Sequence, residues 1–407
     1  MTIPDDHRAK TKILLVIGGL CQGGAESQLV QLARRLDPNR YDVVFLIFTT
    51  REKVFYTEIF DSGVKLIAAS TSHLPAFIAA PLTLFRTARV IRREKPHLIH
   101  ASLNLANIFV RLARFFFPAC PVITSIRTSF FPVYPRFYKL TERLLAPKSD
   151  FITVNLPDTG NALASFLRLP PERIVFIPNA LDADRFSPVS AAGRAGTRAR
   201  WGLAHDDLVL SAVSRLAPIK NQLCLLKALS CLKRAGKLHP RLKTLLVGYV
   251  TDEKYFAELR RFAESQGLSA HVRFLEPVHD VENIYRLSDF TVLPSLFEGF
   301  PNAALESLGC AVPVIISRAA NSCGIVEHGA DGLAFEDNNE LMLADTLAAA
   351  LNLSPARVAE MGRKGRAKAL NDFSWKSVIR RTEELYALAL NAARPPRPGA
   401  PADAAPH

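Results

Sequence analysis

Residues 293–317 read LPSLFEGFPNAALESLGCAVPVIIS, and this stretch constrains the reading of the rest of the chain. Residues 290–293 (FTVL) form an apolar run of strand length, Glu298-Gly299-Phe300-Pro301 has the make-up of a turn, and Asn302 stands where a helix N-cap belongs before the run AALESL. The order is strand, glycine-containing turn, helix start. Unpaired backbone N–H groups at such a start, with the positive end of the helix dipole, favour an anion such as a diphosphate. Glu298 and Glu306, separated by seven residues, do not suit that anion themselves. One carboxylate accepts two O–H bonds, so its natural partners are the vicinal hydroxyls that a nucleotide sugar carries on its sugar and on its ribose. On spacing alone, two solvated glutamates in an ordinary α/β unit explain the pattern equally well.

The full wording, E-G-F-P-N-x-x-L-E followed by a Pro-Val strand, closely resembles the donor-site signature of family 4 of the retaining glycosyltransferases. That family has the GT-B fold, an α/β architecture of two Rossmann-like domains facing across a cleft, with a C-terminal helix crossing back to the first domain. The resemblance implies that Glu298 holds sugar hydroxyls and Glu306 the ribose, with Gly299, Phe300, Pro301 and Asn302 around the donor. The nucleotide sugar is then a substrate, and neither a cofactor nor a metal is implied. The resemblance covers about residues 12–390 and is strongest after 208.

At 407 residues, 49% of them apolar, the chain is long enough for two cores of ordinary size. The six cysteines, at 21, 120, 224, 231, 310 and 323, form no C-x2-C pair and no metal-ligand spacing with histidine, which suggests reduced structural thiols. The polar opening MTIPDDHRAKTK runs straight into a strand. It is expected to hold neither a signal nor a transit peptide, which puts the protein in the cytoplasm. Apolar segments at 74–85 and 103–117 are interrupted by Pro, Asn or Arg and fall short of a membrane span. The net charge is +13, with 24 basic against 15 acidic residues before position 186. Such a surface suits nucleic acid, anionic lipid or phosphorylated substrates, and charge alone does not choose among them.

Residues 13–17 (ILLVI) form the first strand, followed by Gly18-Gly19, Gly23-Gly24 and a helical pattern. Paired glycines let backbone approach a ligand closely, although a glycine turn after a first strand is common. The wording GGLCQGGAE resembles the loop that opens the N-terminal domain of the same family, which would put Gly23 and Gly24 across the cleft from the donor phosphates. Short apolar runs at 43–48, 64–68, 98–100, 122–126, 151–154 and 174–177 alternate with helical patterns, the mark of a parallel sheet. His100 and Arg127 end two of these strands on the side where α/β proteins bind ligands, and are the acceptor-side candidates. In the family, a histidine often occupies the region of Arg127. Two stretches, 109–117 and 130–139, combine cations with large apolar residues, which fits either an anionic membrane interface or core helices with snorkelling arginines.

The stretch IPNALDADRF at 177–186 resembles the family's interdomain connection, and residues 187–197 are rich in Ala, Gly and Ser. The expected domains are 1–186 for the acceptor and 187–374 for the nucleotide sugar, then a crossover helix at 375–392 and a disordered tail at 393–407. Asp182 and Asp184 make a D-x-D in a linker-like turn, which we read as coincidence and not as a metal site. Arg215 and Lys220, five apart in a strand-to-helix turn, can face one diphosphate, Arg as a fork and Lys as a point charge. The wording S-R-L-x-x-x-K-N resembles the family, whose matching pair grips the donor diphosphate. Departures from the family are Glu276 and Ala311 in place of glycines, and Gly324 near a common glutamate.

The expected activity is retaining, metal-independent transfer of a sugar from a nucleotide sugar to a hydroxyl of a glycan or lipid-linked acceptor. Arg215 and Lys220 would stabilise the leaving diphosphate, with Glu298 completing the catalytic set. Cell-surface polysaccharide or lipopolysaccharide assembly on the inner face of the plasma membrane is the expected setting, with the protein peripheral there. The rivals are a related epimerase or phosphorylase, which the paired glutamates disfavour, and a non-catalytic nucleotide-sugar sensor or scaffold, which has no need of Glu298. Nucleic-acid binding ranks last, since no zinc spacing, helix-turn-helix or RNA-binding signature occurs.

Overall fold

The computed structural model describes residues 10–20, 23–50, 55–71, 75–117, 120–127, 135–157 and 159–392. Cys21, residues 130–134 of the second aromatic stretch and the tail from 393 lie outside them. The continuous apolar runs become two parallel sheets. The first holds β1 (Thr11–Ile17), β2 (Tyr41–Ile47), β3 (Lys65–Ala68), β4 (Leu98–Ser102), β5 (Val122–Ile126), β6 (Phe151–Val154) and β7 (Ile174–Phe176), in the order β3-β2-β1-β4-β5-β6-β7. The second holds β8 (Leu208–Val213), β9 (Leu242–Val247), β10 (Val272–Leu275), β11 (Phe290–Leu293), β12 (Val314–Ser317) and β13 (Gly332–Phe335), in the order β10-β9-β8-β11-β12-β13.

Parallel strands are covered by helices on both faces, which is why their sequences read as unbroken apolar runs. In β1, Ile13, Leu15 and Ile17 enter one core cluster while Leu14 and Val16 enter another on the opposite face. The final helix, Trp375–Ala392, returns to the first sheet, where Val378, Leu385, Tyr386 and Ala389 join the cluster of Ile13, Leu15 and Ile17.

The chain passes from one body of core to the other twice. Ile177 and Ala180 pack with the first sheet, Leu181 and Phe186 with the second; Phe373 packs with the second and Val378 with the first. The two passages touch: Leu181 N–H donates to Phe373 O at 2.8 Å. The handover therefore falls ahead of position 186. The Ala- and Gly-rich residues after it are not all linker, because Ser190 Oγ accepts from Gly193 N at 3.1 Å and caps the helix Ala191–Arg200.

The first basic aromatic stretch divides. Arg111, on the helix Asn104–Ala113, does not snorkel: it is fully buried, with Nη1 donating to Glu142 Oε2 at 2.5 Å, Nη2 to Thr124 Oγ1 and Nε to Ser149 Oγ, both at 2.8 Å. Phe115 and Phe116, just beyond, are exposed.

Removing one partner of a buried ion pair leaves an uncompensated charge and costs about 3–5 kcal/mol. Glu142→Ala is accordingly expected to lower the urea midpoint of the first domain, followed by circular dichroism. An unchanged midpoint would show that Arg111 is not held by this pair.

Candidate active site

In both sheets the strand order reverses beside the first strand, between β1 and β4 and between β8 and β11. Loops leaving the carboxyl ends of the strands on either side of such a reversal diverge and leave a crevice. At β8 and β11 the crevice is walled by residues 214–221 and 294–302. Gln222 Nε2 shapes the first wall, donating to Ser214 Oγ at 3.0 Å and to Arg215 O at 2.9 Å. Ile219 O accepts from Leu296 N at 2.9 Å, which brings the second wall against the turn that carries Lys220. Asn221 adopts a left-handed φ of 53° to start the helix Gln222–Arg234 directly after that turn.

This packing joins two of the expected catalytic residues. Lys220 Nζ donates to both oxygens of Glu298, at 2.6 and 2.8 Å, and Ser295 Oγ donates to Glu298 Oε1 at 2.8 Å. The side chains are 16% and 11% exposed, so the pair is mostly withdrawn from water but opens to the crevice. Ser317 Oγ at the end of β12 donates to Ser295 O at 2.6 Å and steadies the loop from below. Arg215 is exposed and has no side-chain hydrogen bond or ion pair among the described residues. Two carboxylate–ammonium bonds help fix the orientation of Glu298, and Arg215 stands beside the pair as an exposed cation without such a partner among the described residues.

Glu306 lies on the helix Asn302–Gly309, where Tyr285 OH donates to its Oε2 at 2.8 Å. Loss of hydration is the main influence on its carboxyl, and it raises the pKa from 4.5 to about 7 against the opposing pull of the Tyr285 hydroxyl. Asn302 does not cap this helix, contrary to the sequence expectation; Pro301 precedes it and Asn302 is the first helical residue. Its side chain is used elsewhere, with Oδ1 accepting from Asn179 Nδ2 at 2.7 Å. Gly299 is partly exposed, but the Phe300 ring is buried edge-on against Phe373 at 5.5 Å, so what it offers the crevice is backbone.

From the first sheet, Gly23 and Gly24 open the helix Gly24–Arg35, and Gly24 lies against the Asn302 side chain. A methyl on Gly24 would collide with the Asn302 amide nitrogen. The glycine loop and the helix start thus meet face to face. His100, by contrast, does not reach the cleft. It is buried, with Nδ1 bonded to Tyr386 OH at 2.9 Å and Nε2 to Ser125 Oγ at 2.8 Å, and burial lowers its pKa to about 3. It serves as a neutral tie between β4 and the final helix. Arg127 is paired with no acid among the described residues; its Nη1 donates to Asn179 Oδ1 at 3.2 Å.

Asp182 pairs with Arg35 at 3.4 Å, and no group of three His, Cys, Asp or Glu placed to hold a metal occurs among the described residues. A concavity of about 910 Å³ opens at the amino ends of the first sheet, lined by Lys12, Asp42, Glu94 and His97 among others. It lies at the opposite end of the strands from the crevices. Sequence reasoning missed Asn179, Tyr285 and Ser295. Asn179 was visible inside the connection, but no local pattern gives it a partner; Tyr285 comes from a preceding helix.

Two family models match in tandem, Glycosyltransferase Family 4 over residues 22–185 and Glycosyl transferases group 1 over residues 194–368. A putative glycosyltransferase of Bacillus subtilis, EpsF, is 29% identical over 319 residues, 76% of this chain and 80% of its own length. A D-inositol 3-phosphate glycosyltransferase of Geodermatophilus obscurus is 30% identical over 251 residues, which cover 60% of this chain but only 54% of that protein. Among solved structures, Anabaena HepE in complex with UDP superposes with a TM-score of 0.81 at 21% identity, over 93% of this chain and 100% of that one. Sucrose-phosphate synthase from Thermosynechococcus elongatus gives 0.78 at 18% identity, over 94% and 100%. The two sheets, the opposed crevices and the tandem match agree, and the chain belongs to the group 1, family 4 glycosyltransferases with the GT-B fold.

Proposed function

We propose that this glycosyltransferase moves a sugar from a nucleoside-diphosphate sugar to a hydroxyl of a glycan or lipid-linked acceptor, with retention and without a metal, during cell-surface polysaccharide or lipopolysaccharide assembly. The observation that carries the reading is the Lys220–Glu298 pair in the crevice between β8 and β11, beside exposed Arg215. In this reading the diphosphate settles on Arg215 and draws Lys220 from Glu298. The freed carboxylate accepts the sugar hydroxyls, and Glu306 accepts the ribose hydroxyls. As the bond between the anomeric carbon and the phosphate oxygen breaks, the negative charge gathering on the diphosphate is met by both cations. The acceptor oxygen bonds to the anomeric carbon and its proton leaves with the diphosphate or solvent. Glu298 is not assigned as a covalent nucleophile, since its hydrogen bonds are those of a positioning carboxylate. HepE is solved with UDP and with UDP and glucose, so a uridine donor is the first to try.

A membrane setting is supported by three helices that lie on one face of the first sheet, Ala76–Glu94, Asn104–Ala113 and Arg136–Leu145. The first and third of them expose Phe77, Phe85, Phe137, Leu140 and Leu144 alongside Arg89, Arg92, Arg93 and Arg136. Their acids, Glu94 and Glu142, are both buried and paired. The outward face is left cationic and apolar, the composition that binds an anionic bilayer from its surface. No described helix is long and apolar enough to cross a membrane.

Binding to the folded state raises apparent stability, so a thermal-shift screen against UDP, GDP, ADP and CMP and their sugars is expected to single out one nucleotide. Glu298→Gln should keep that shift while transfer falls by about 10²-fold or more; normal turnover would remove Glu298 from its role. The Glu306 carboxyl, with a folded pKa near 7 against 4.5 when unfolded, binds a proton on folding between those values. Its contribution to stability is complete below 4.5 and is lost as pH rises through 7. Ribose needs the ionised form, so nucleotide affinity should rise through the same window, and Glu306→Gln should flatten both profiles. In co-sedimentation, the protein should bind vesicles rich in anionic lipid and release them at high salt, and Phe137→Glu with Leu144→Glu should abolish binding. Equal binding to neutral vesicles would count against the cationic face.

A further inference from the structure

Asn179 sits at the handover between the two domains and is 4% exposed. Both ends of its side chain are used, with Oδ1 accepting from Arg127 Nη1 at 3.2 Å and Nδ2 donating to Asn302 Oδ1 at 2.7 Å. An amide can be turned end for end, but a guanidinium can only donate. Arg127 therefore fixes which end of Asn179 faces it. Asn179 must then present N–H to Asn302, and Asn302 must answer with oxygen. The consequence appears at the far end of the chain, where the Asn302 amide nitrogen faces Gly24 at the mouth of the cleft.

Neighbouring contacts hold the relay in place. Ala180, next in the chain, exchanges two hydrogen bonds with Gln28 on the glycine-loop helix, its N–H donating to Oε1 at 2.7 Å and its carbonyl accepting from Nε2 at 2.8 Å. Leu181 fits against Gly309 at the other end of Asn302's helix, where a methyl would meet Leu181 Cδ1 at 2.8 Å. The connection thus grips the glycine-loop helix and both ends of the donor-side helix.

We propose that Asn179 is a positioning residue that relays the polarity of Arg127 through two amides, so that Asn302 presents N–H donors to the donor diphosphate. The inference rests on the donor-site reading above. A charged donor at the head of a hydrogen-bond chain strengthens the bonds behind it, and the relay delivers that polarity without placing a further cation in the cleft.

The test is Asn179→Asp. A carboxylate still accepts from Arg127, now as an ion pair, but it cannot donate. Asn302 must turn its nitrogen toward residue 179 and its oxygen toward the cleft. The expected result is a melting temperature at or above that of the wild type, a Kd for UDP or inorganic pyrophosphate weakened roughly tenfold or more, and a kcat lowered by at least that factor with the acceptor KM unmoved. Asn179→Ala, which leaves Asn302 free to choose, should fall between the two. An Asp variant with unaltered affinity and kcat overturns the relay, as does one whose lost activity tracks a lowered melting temperature. A wild-type protein that binds neither anion overturns it as well. One that binds UDP yet transfers no sugar sinks the transfer reading alone, and the affinity comparison still decides the relay.

Discussion

Where the chain leaves the first sheet for the second, Leu181 donates its N–H to Phe373 O at 2.8 Å, in the segment by which the chain returns. The two passages run side by side, and the relation of the domains hangs on what they hold. A parallel sheet offers its ligand crevice only at the carboxyl ends of its strands. Two such sheets make one active site only if those ends are turned toward each other. The first passage reaches Asn302 through Asn179 and the glycine-loop helix through Gln28; the second carries Trp375, under the Arg35 guanidinium at 5.0 Å, onto the first core. A few hydrogen bonds at the crossing position two bodies that each have their own core. Large relative motion between such bodies is limited chiefly by these contacts.

The sheets were legible because buried parallel strands are apolar on both faces, and their runs stand out against amphipathic helices. Strand ends were less so. β4 continues past His100, where its apolar run ended, to Ser102, because pairing with β5 continues through Ser102, which hydropathy skips. The site was legible where chemistry is written locally: Arg215 and Lys220 in one turn, Glu298 and Glu306 in one turn and helix. It was not legible where a side chain's partner comes from far along the chain. Asn302 satisfies every local rule for a cap, yet a buried amide from the interdomain connection takes its oxygen. His100 lies near the ligand-side end of a strand, yet the final helix covers it with Tyr386.

The same limit applied to charge. The sequence offers an excess of cations over the first half and no indication of which acids are available to balance them. In the fold, Glu142 is turned inward to neutralise Arg111 and Glu94 is turned inward against Lys65 and Arg93. Burying the acids makes the outer face of that helical layer more basic than the count of residues suggests. A composition that left nucleic acid, lipid and phosphorylated substrates open becomes, once folded, an apolar and cationic surface. The exposed phenylalanines of that layer sit on two of its helices, Phe77 and Phe85 on Ala76–Glu94 and Phe137 on Arg136–Leu145, beside the cations that the buried acids do not offset.

Energetics also accounts for the contrast between the two cations of the crevice between β8 and β11. Arg215 stands in water, where an unpaired guanidinium costs little. Lys220 is mostly enclosed by the loops that place it, and an ammonium there without a partner would carry a penalty of several kcal/mol. Glu298 removes that penalty, and Ser295 keeps the carboxylate aligned. The pairing is what lets Lys220 stand on the crevice wall while mostly withdrawn from water. The ion pair thus accounts for how the crevice holds a mostly enclosed ammonium beside an exposed guanidinium.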